Sequence, residues 1–397
     1  MTDFTWTRKQ FHLPMGMIYL DGNSLGPMPK AAPARIDAML RAEWGEQLIT
    51  GWNASGWMAQ PRSLGDRIAR LIGAEKGHVV MGDTLSIKVY QALAAALQLR
   101  PDRRVILSDT GNFPSDLYMA QGLVKLLGDR AELRVVKPQD VADNITEDVA
   151  VTLLTEVDYR TGRMHDMAAL TALAQNKGAL TIWDLAHSAG AIPVDLAGAQ
   201  ADFAVGCTYK YLNGGPGAPA FIYVAPRHAD VVDPALAGWL GHAKPFDFSR
   251  DYTPGAGVER MRVGTPPVVQ MTLLETALDI WDRVDMADVR RQSIALCEDF
   301  IERVEAECPQ LKLFSPRDAT RRGSQVSFRA ENGYAIMQAL IADGVIGDFR
   351  APDVMRFGFC PLYITHDDVE EAVSVLTRIL RGALWDKPEF LQRKAVT

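Results

Sequence analysis

Cysteine is scarce in this sequence: Cys207, Cys297, Cys308 and Cys360 are the only four in 397 residues, and no CxxC pair occurs. That argues against a disulfide framework and against a zinc ribbon. The seven histidines are equally dispersed and no HExxH is present, so the sequence makes no case for a metal site. No apolar run approaches the ~20 residues of a membrane span, and Met1 to Phe11 lacks the apolar stretch of a secretion signal. A cytoplasmic protein without a membrane partner is expected. Excess positive charge is missing as well. A net charge of -7 argues against a broad basic surface, so no nucleic-acid partner is expected and any phosphate must be held locally. What remains is an ordinary globular composition, 48% hydrophobic and 23% charged, in a chain long enough for two or three domains.

From Arg104 onward the chain alternates short apolar strands with helices, the pattern of a layered α/β protein. Strands are expected at Val105–Ser108, Leu133–Val136, Ala150–Thr155 and Ala179–Trp183, with helices near Pro114–Leu127 and Met167–Asn176. The strands are almost continuously apolar, which implies a mostly parallel sheet covered on both faces, with ligands gathering at the strands' C-terminal ends. Upstream, Ile18 to Pro27 reads as a short strand entering a glycine-rich loop, and a helix is expected from about Ala31 to Trp44. Trp44, Trp52 and Trp57 then fall in an expected loop, as buried anchors or as the wall of a pocket. Val79–Met81 leads into an amphipathic helix over Asp83–Gln98, capped by Asp83 or Thr84. After Val224 glycine- and proline-rich loops replace the alternation. Long helices over Val269–Asp282 and Val289–Ala306 lead to a C-terminal unit with strands at Gln325–Phe328, Val345–Phe349 and Val354–Phe359 and a last helix over Asp367–Gly382.

One stretch concentrates chemistry. An apolar strand, Asp202 to Cys207, delivers Lys210 to its C-terminal edge, and Asn213-Gly214-Gly215-Pro216-Gly217 turns the chain back into an expected strand at Ala218–Val224. A lysine buried there becomes a nucleophile, suited to a Schiff base with an aldehyde cofactor; a lysine simply solvated at a strand end is the plainer alternative. Asp184 ends the preceding strand, 26 residues earlier. A carboxylate so placed can keep a pyridine nitrogen protonated and make the ring an electron sink, the pairing a pyridoxal phosphate enzyme requires; alternatively it only caps the following loop. Other residues at the same sheet edge suit that cofactor. Thr84 and Leu85 at a helix N-terminus can seat its phosphate. Phe113 can stack on the ring, and Thr155 can bond the ring hydroxyl. His187 reads either as a satisfied histidine lining a loop or as a ligand. Tyr209 has a hydroxyl able to reach a phosphate or give a proton, and Arg356 can form a fork with a substrate carboxylate or merely an ion pair.

As a set, Tyr19-Leu20-Asp21-Gly22-Asn23-Ser24-Leu25-Gly26-Pro27, Asn112-Phe113-Pro114-Ser115-Asp116, Asp184-Leu185-Ala186-His187, Thr208-Tyr209-Lys210-Tyr211-Leu212-Asn213 and Gly238-Trp239-Leu240-Gly241-His242 resemble the kynureninase family over about residues 15–380. The resemblance implies an α/β protein of pyridoxal phosphate-dependent fold type I. It implies a large domain with a mostly parallel seven-stranded sheet and a small α+β C-terminal domain. The expected division is 1–50 as an N-terminal arm, 51–268 as the cofactor-binding domain and 269–397 as linking helix plus small domain. It also implies roles. Lys210 would carry pyridoxal 5'-phosphate and Asp184 would pair with its ring nitrogen. Thr84, Leu85 and Tyr209 would hold the phosphate end, joined by Trp239 and Thr265 of a neighbouring subunit in a homodimer. Phe113, Ser115, Asp116, Thr155 and His187 would line the ring, and Arg356 would hold the carboxylate of the substrate, L-kynurenine. Trp52, Gly264 and Thr265 stand where members favouring the 3-hydroxylated substrate carry a histidine and a serine-asparagine pair, so the unsubstituted compound is expected to be preferred. The implied reaction, in tryptophan catabolism, yields anthranilate and L-alanine. A cysteine desulfurase or a class V aminotransferase on the same fold, or an inactive protein retaining it, are the rivals. Against a desulfurase, Tyr209 precedes the lysine where histidine is expected, and no cysteine falls between Cys308 and Arg356.

Overall fold

The computed structural model describes residues 1–393. Among the described residues there are thirteen strands: β1 (Ile18–Tyr19), β2 (Val79–Met81), β3 (Val105–Asp109), β4 (Glu132–Val136), β5 (Val149–Thr155), β6 (Leu180–Asp184), β7 (Phe203–Gly206), β8 (Phe221–Val224), β9 (Lys312–Leu313), β10 (Gln325–Arg329), β11 (Val345–Ile346), β12 (Asp348–Arg350) and β13 (Val354–Gly358). Seven of them form the central sheet in the order β2-β8-β7-β6-β5-β3-β4. Pairing is parallel from β4 through β7, and β8 alone runs against its neighbours β7 and β2. The physical reason is visible in the sequence: every residue of β3, β5, β6, β7 and β8 is buried, as strands covered on both faces must be. Helices Leu85–Leu99, Pro114–Leu127 and Met167–Asn176 cover the sheet. Pro114 opens the second at a position where its missing N–H costs nothing, and Asp166 caps the third by accepting from the Ala169 N–H.

A second, four-stranded sheet has the order β12-β13-β10-β9, all antiparallel, and packs against the helices Met286–Glu307 and Gly333–Ala342, on which His366–Arg381 lies. The helix His366–Arg381 starts in a reciprocal capping box between Thr365 and Asp368, and a short helix, Pro388–Leu391, follows it. The N-terminal arm belongs to this side of the molecule. β1 pairs in parallel with β11, and the Thr7 hydroxyl donates to the Leu362 carbonyl.

Several expectations change. The stretch Val345–Phe349 is not one strand. β11 serves β1 and β12 serves β13, split at Gly347, where a Cβ would lie 2.7 Å from the Arg356 carbonyl oxygen. Trp44–Trp57 is not an open loop: Ala32–Ala38 runs on as a π-helical segment to Glu46, and further helical turns follow to Ala54. The helix after β2 is buried nearly all round, Lys88 and Gln91 included, so it is a core helix rather than an amphipathic one. The strand expected from Ala218 begins only at Phe221, because the preceding residues close the lysine turn. Helices Phe4–Gln10 and Gln60–Leu71 carried no sequence expectation.

Candidate active site

The C-terminal ends of β5, β6 and β7 and the helices after β2 and β3 converge on one cavity of about 260 Å³. Its wall holds Thr84, Leu85, Phe113, Ser115, Thr155, Asp184, His187, Tyr209 and Lys210, drawn from five separate stretches of sequence. Three further residues complete it, Ser86, Tyr159 and Ala186. Of these Tyr159 is the instructive miss. Its stretch reads only as a turn, yet its ring packs edge-on against Phe113 at 5.0 Å and its carbonyl accepts from the guanidinium of Arg356.

Lys210 lies four residues beyond β7, in a turn held at both ends. The Thr208 hydroxyl donates to the Pro219 carbonyl at 2.6 Å, and the Asn213 N–H closes on the Lys210 carbonyl at 2.9 Å. The N-terminal loop braces the turn from below: the Gly26 N–H donates to the Tyr209 carbonyl at 2.8 Å. A side chain at Gly26 would come within 2.4 Å of the Lys210 carbonyl, which is why glycine stands there. Lys210 is half-buried, its Nζ 5.7 Å from the Phe113 ring centre and 5.8 Å from that of Tyr209.

Opposite it, charge is held at a cost. One oxygen of Asp184 accepts from the Ala186 N–H at 2.9 Å. Burial pushes the Asp184 carboxyl up to about 6, with the nearby Lys210 charge pulling the other way. Asp116 is fully buried behind it and neither carboxyl oxygen has a well-formed hydrogen bond; burial, and then Asp184, hold it well above the usual carboxylate range. His187 is buried with Nδ1 unpartnered, and burial followed by the charges of Lys210, Arg356 and Arg350 holds it neutral. Tyr209 is raised above its ordinary value, first by Cys207 and then by burial, so its hydroxyl keeps its proton. Thr155 donates to the Val157 carbonyl at 3.2 Å, which leaves its oxygen able to accept.

Pyridoxal phosphate suits this wall. Thr84 precedes a fifteen-residue helix without a side-chain capping bond, so its hydroxyl and the helix's first N–H groups are available to a phosphate. A protonated ring nitrogen would give the desolvated Asp184 the cationic donor it lacks. Phe113 offers a ring face beside the lysine.

The remaining expected residues lie elsewhere. Arg356 is not a surface arginine: it is 1% exposed in β13, and its guanidinium donates from Nε to Asp348 at 2.6 Å and from Nη2 to the other Asp348 oxygen. Gly264 and Thr265 are exposed and line a separate narrow crevice beside Asp83. Trp239 is 45% exposed, its indole N–H donating to the Pro245 carbonyl at 2.7 Å. Trp52 is half-buried, edge-on to Trp57 at 5.6 Å. Among the described residues no helix is long and apolar enough to cross a membrane.

Solved structures of similar fold include a cysteine desulfurase of Thermococcus onnurineus NA1, with a TM-score of 0.80 and 19% identity over 95% of this chain and 98% of that one. A C-DES mutant with glycine covalently linked to its PLP cofactor matches with a TM-score of 0.77 and 19% identity over 93% of this chain and 98% of that one. Fold and cofactor wall together define a pyridoxal phosphate-dependent enzyme of fold type I. Residues 289–376 match the family model described as the kynureninase C-terminal domain. A kynureninase of Burkholderia pseudomallei (strain 1106a) is 52% identical, covering 98% of this chain and 95% of its own length, and one of Pseudomonas fluorescens is 51% identical with the same coverage. The chain belongs to the kynureninase family.

Proposed function

We propose that the protein hydrolyses L-kynurenine to anthranilate and L-alanine, with L-kynurenine preferred over its 3-hydroxy derivative. The observation that carries the reading is the pairing of Lys210 with the desolvated Asp184 across one cavity, in a chain 52% identical to a kynureninase. Pyridoxal phosphate, when bound, supplies the electron sink for carbanion chemistry at the substrate α-carbon. Thr84, Leu85 and Tyr209 would hold its phosphate end, Phe113, Ser115, Thr155 and His187 its ring, and Asp184 the proton at the ring nitrogen. Asp116, behind Asp184, adds a like charge that favours keeping a proton between them.

Lys210 is the base that takes the proton from the substrate α-carbon. Arg356 holds the substrate α-carboxylate through a charge-assisted fork. Water adds to the γ-carbonyl, the Cβ–Cγ bond breaks, and the new C–O bond leaves as the carboxylate of anthranilate. Tyr209, which keeps its proton, donates it to the carbon that becomes the alanine methyl.

We further take residues 1–50, 51–268 and 269–397 as arm, large domain and small domain. The active unit is a homodimer in which Trp239 and Thr265 complete the neighbour's phosphate end and Trp52, Gly264 and Thr265 meet the substrate ring. Supporting this is an exposed aromatic group on one loop, with Phe246 60% and Phe248 75% exposed beside Trp239. The test is release of fluorescent anthranilate from L-kynurenine by the purified protein with no keto acid present. Dependence on a keto acid would favour an aminotransferase, and a colourless protein that binds no pyridoxal phosphate would overturn the reading.

A further inference from the structure

Where Arg356 meets the N-terminal arm, four charged side chains converge. Asp348 in β12 takes Arg356 side-on, forms an ion pair with Arg350 Nη2 at 2.8 Å, and accepts from the Ser24 hydroxyl at 2.7 Å. Asp348 is therefore saturated with donors and 1% exposed, a carboxylate that stays charged. Arg356 has five N–H donors. Nε and one N–H of Nη2 go to Asp348, one N–H of Nη1 goes to the Tyr159 carbonyl, and Nη2 makes a long 3.2 Å contact to the Ser24 oxygen. One donor is thus free and a second is weakly held, so Arg356 keeps N–H groups for an incoming carboxylate.

The fourth member is Asp21, in the loop after β1. Its Oδ1 is buried without a hydrogen-bond partner, and the like charge of Asp348 faces it. Around it stand Tyr19 from β1, Ser24 from its own loop, Asp348 and Arg350 from β12, Arg356 from β13 and Tyr211 from the turn after Lys210. Both tyrosines are pushed up, mainly by burial, and stay neutral. The charge balance then depends on one proton. With Asp21 protonated the two guanidiniums exceed the single carboxylate by one positive charge; with Asp21 ionised the group is neutral.

We propose that Asp348 is a positioning residue that fixes Arg356 for the substrate carboxylate, and that Asp21, by holding or losing a proton, sets the net charge of this cradle and so its affinity for a carboxylate. The proposal rests on the reading of Arg356 given under the proposed function. Burial and Asp348 raise Asp21 to about 7, so the proton is held below neutrality and lost above it. An anion arriving at Arg356 raises Asp21 further, so binding takes up a proton and weakens as pH rises; each unit of that upward shift is about tenfold in affinity.

The probe is 4-oxo-4-phenylbutanoate, the substrate skeleton without either amine, titrated into the pyridoxal phosphate-loaded protein by calorimetry from pH 6 to 8.5 in two buffers of different ionisation enthalpy. The wild type is expected to bind with proton uptake and to lose roughly tenfold in affinity across that range. Asp21→Asn should bind with no proton uptake and no pH slope; a variant that keeps the wild-type slope overturns the role of Asp21. Asp348→Asn adds one positive charge to the cradle, which alone would tighten binding; a net loss of about tenfold or more in affinity at pH 6.5, with its cofactor absorbance intact, is expected from the lost positioning of Arg356, and affinity at or above that of the wild type overturns the positioning role. Should that variant fail to fold, Arg350→Gln, at a half-exposed position, is expected to weaken binding several-fold by removing the surplus charge, and wild-type affinity there overturns the charge count. Arg356→Gln separates the two readings: if it binds the probe as the wild type does, Arg356 is not the carboxylate holder, whereas loss of binding there with intact binding in both Asp variants rejects only the cradle.

Discussion

Two regions of the molecule handle polar groups in opposite ways. At the sheet edge Asp116, Asp184 and His187 are buried, atoms of Asp116 and His187 are left unpartnered, and burial shifts all three away from the charge they carry in water. In the loop region 237–267 a group of aromatic side chains is exposed: Trp239 lies edge-on to Phe246 and Phe246 to Phe248, and Gly264 and Thr265 face outward. The groups lining the wall come from strand ends and helix starts of one chain. The loop's apolar rings are exposed to water and call for a surface to cover them. The contrast teaches where preorganisation resides: it is built into strand ends, whose positions the sheet fixes, while the exposed loop side is where the proposed second chain would pack.

The most severe way to break the wall is Lys210→Ala. Anthranilate release should fall by about 10³-fold or more, and the bound-cofactor absorbance of the wild type should be lost. An unaltered spectrum would falsify the assignment of Lys210. Next is Glu156→Gln, just behind the wall, which tests whether a buried, unpartnered carboxyl opposes stability. Glu156 follows Thr155 and is 5% exposed with Oε2 unpartnered, and burial raises its carboxyl to about 7. A raised carboxyl means that the folded state binds the proton more tightly than the unfolded chain. Stability is therefore lost as pH rises from about 4.5 to about 7, and the penalty is complete above that. The variant should gain on the order of 3 kcal/mol at pH 8 and nothing near pH 4.5, as read by denaturant unfolding at the two values. Equal stability at pH 8 would show that Glu156 is better satisfied than its surroundings suggest.

The loop side answers to smaller changes. Trp239→Ala should weaken self-association, read by sedimentation across concentration, and lower pyridoxal phosphate affinity about tenfold, the size expected for one buried aromatic at an interface. If the cofactor affinity falls in a protein that is monomeric throughout, Trp239 acts within its own chain and the contrast between the regions collapses. The smallest effect concerns the substrate ring. L-kynurenine should be turned over with a kcat/KM several-fold to about 100-fold above that for 3-hydroxy-L-kynurenine, the range one extra hydroxyl commands in a pocket. Equal efficiency would remove Trp52, Gly264 and Thr265 from the specificity argument and leave the wall untouched.

Residue patterning determined much of this protein. Continuous apolar strands ending in Asp184 and Thr155, and another leading into the Lys210 turn, were legible because a parallel sheet buries both faces and leaves chemistry only at its ends. What the patterning could not reveal is which distant groups share a charge. Asp348 and Asp21 are separated by more than three hundred residues, and neither stands out until β1 pairs with β11 and β12 with β13. Tyr159 likewise reads as part of a turn, and only the approach of the C-terminal sheet puts its carbonyl on Arg356. The split at Gly347 has the same origin, since a strand's own residues do not say that two partners will compete for it. Local sequence thus decided the elements and the residues at their ends. Tertiary structure decided the electrostatics, because burial and like charges brought together across the fold, rather than residue type, set who holds a proton.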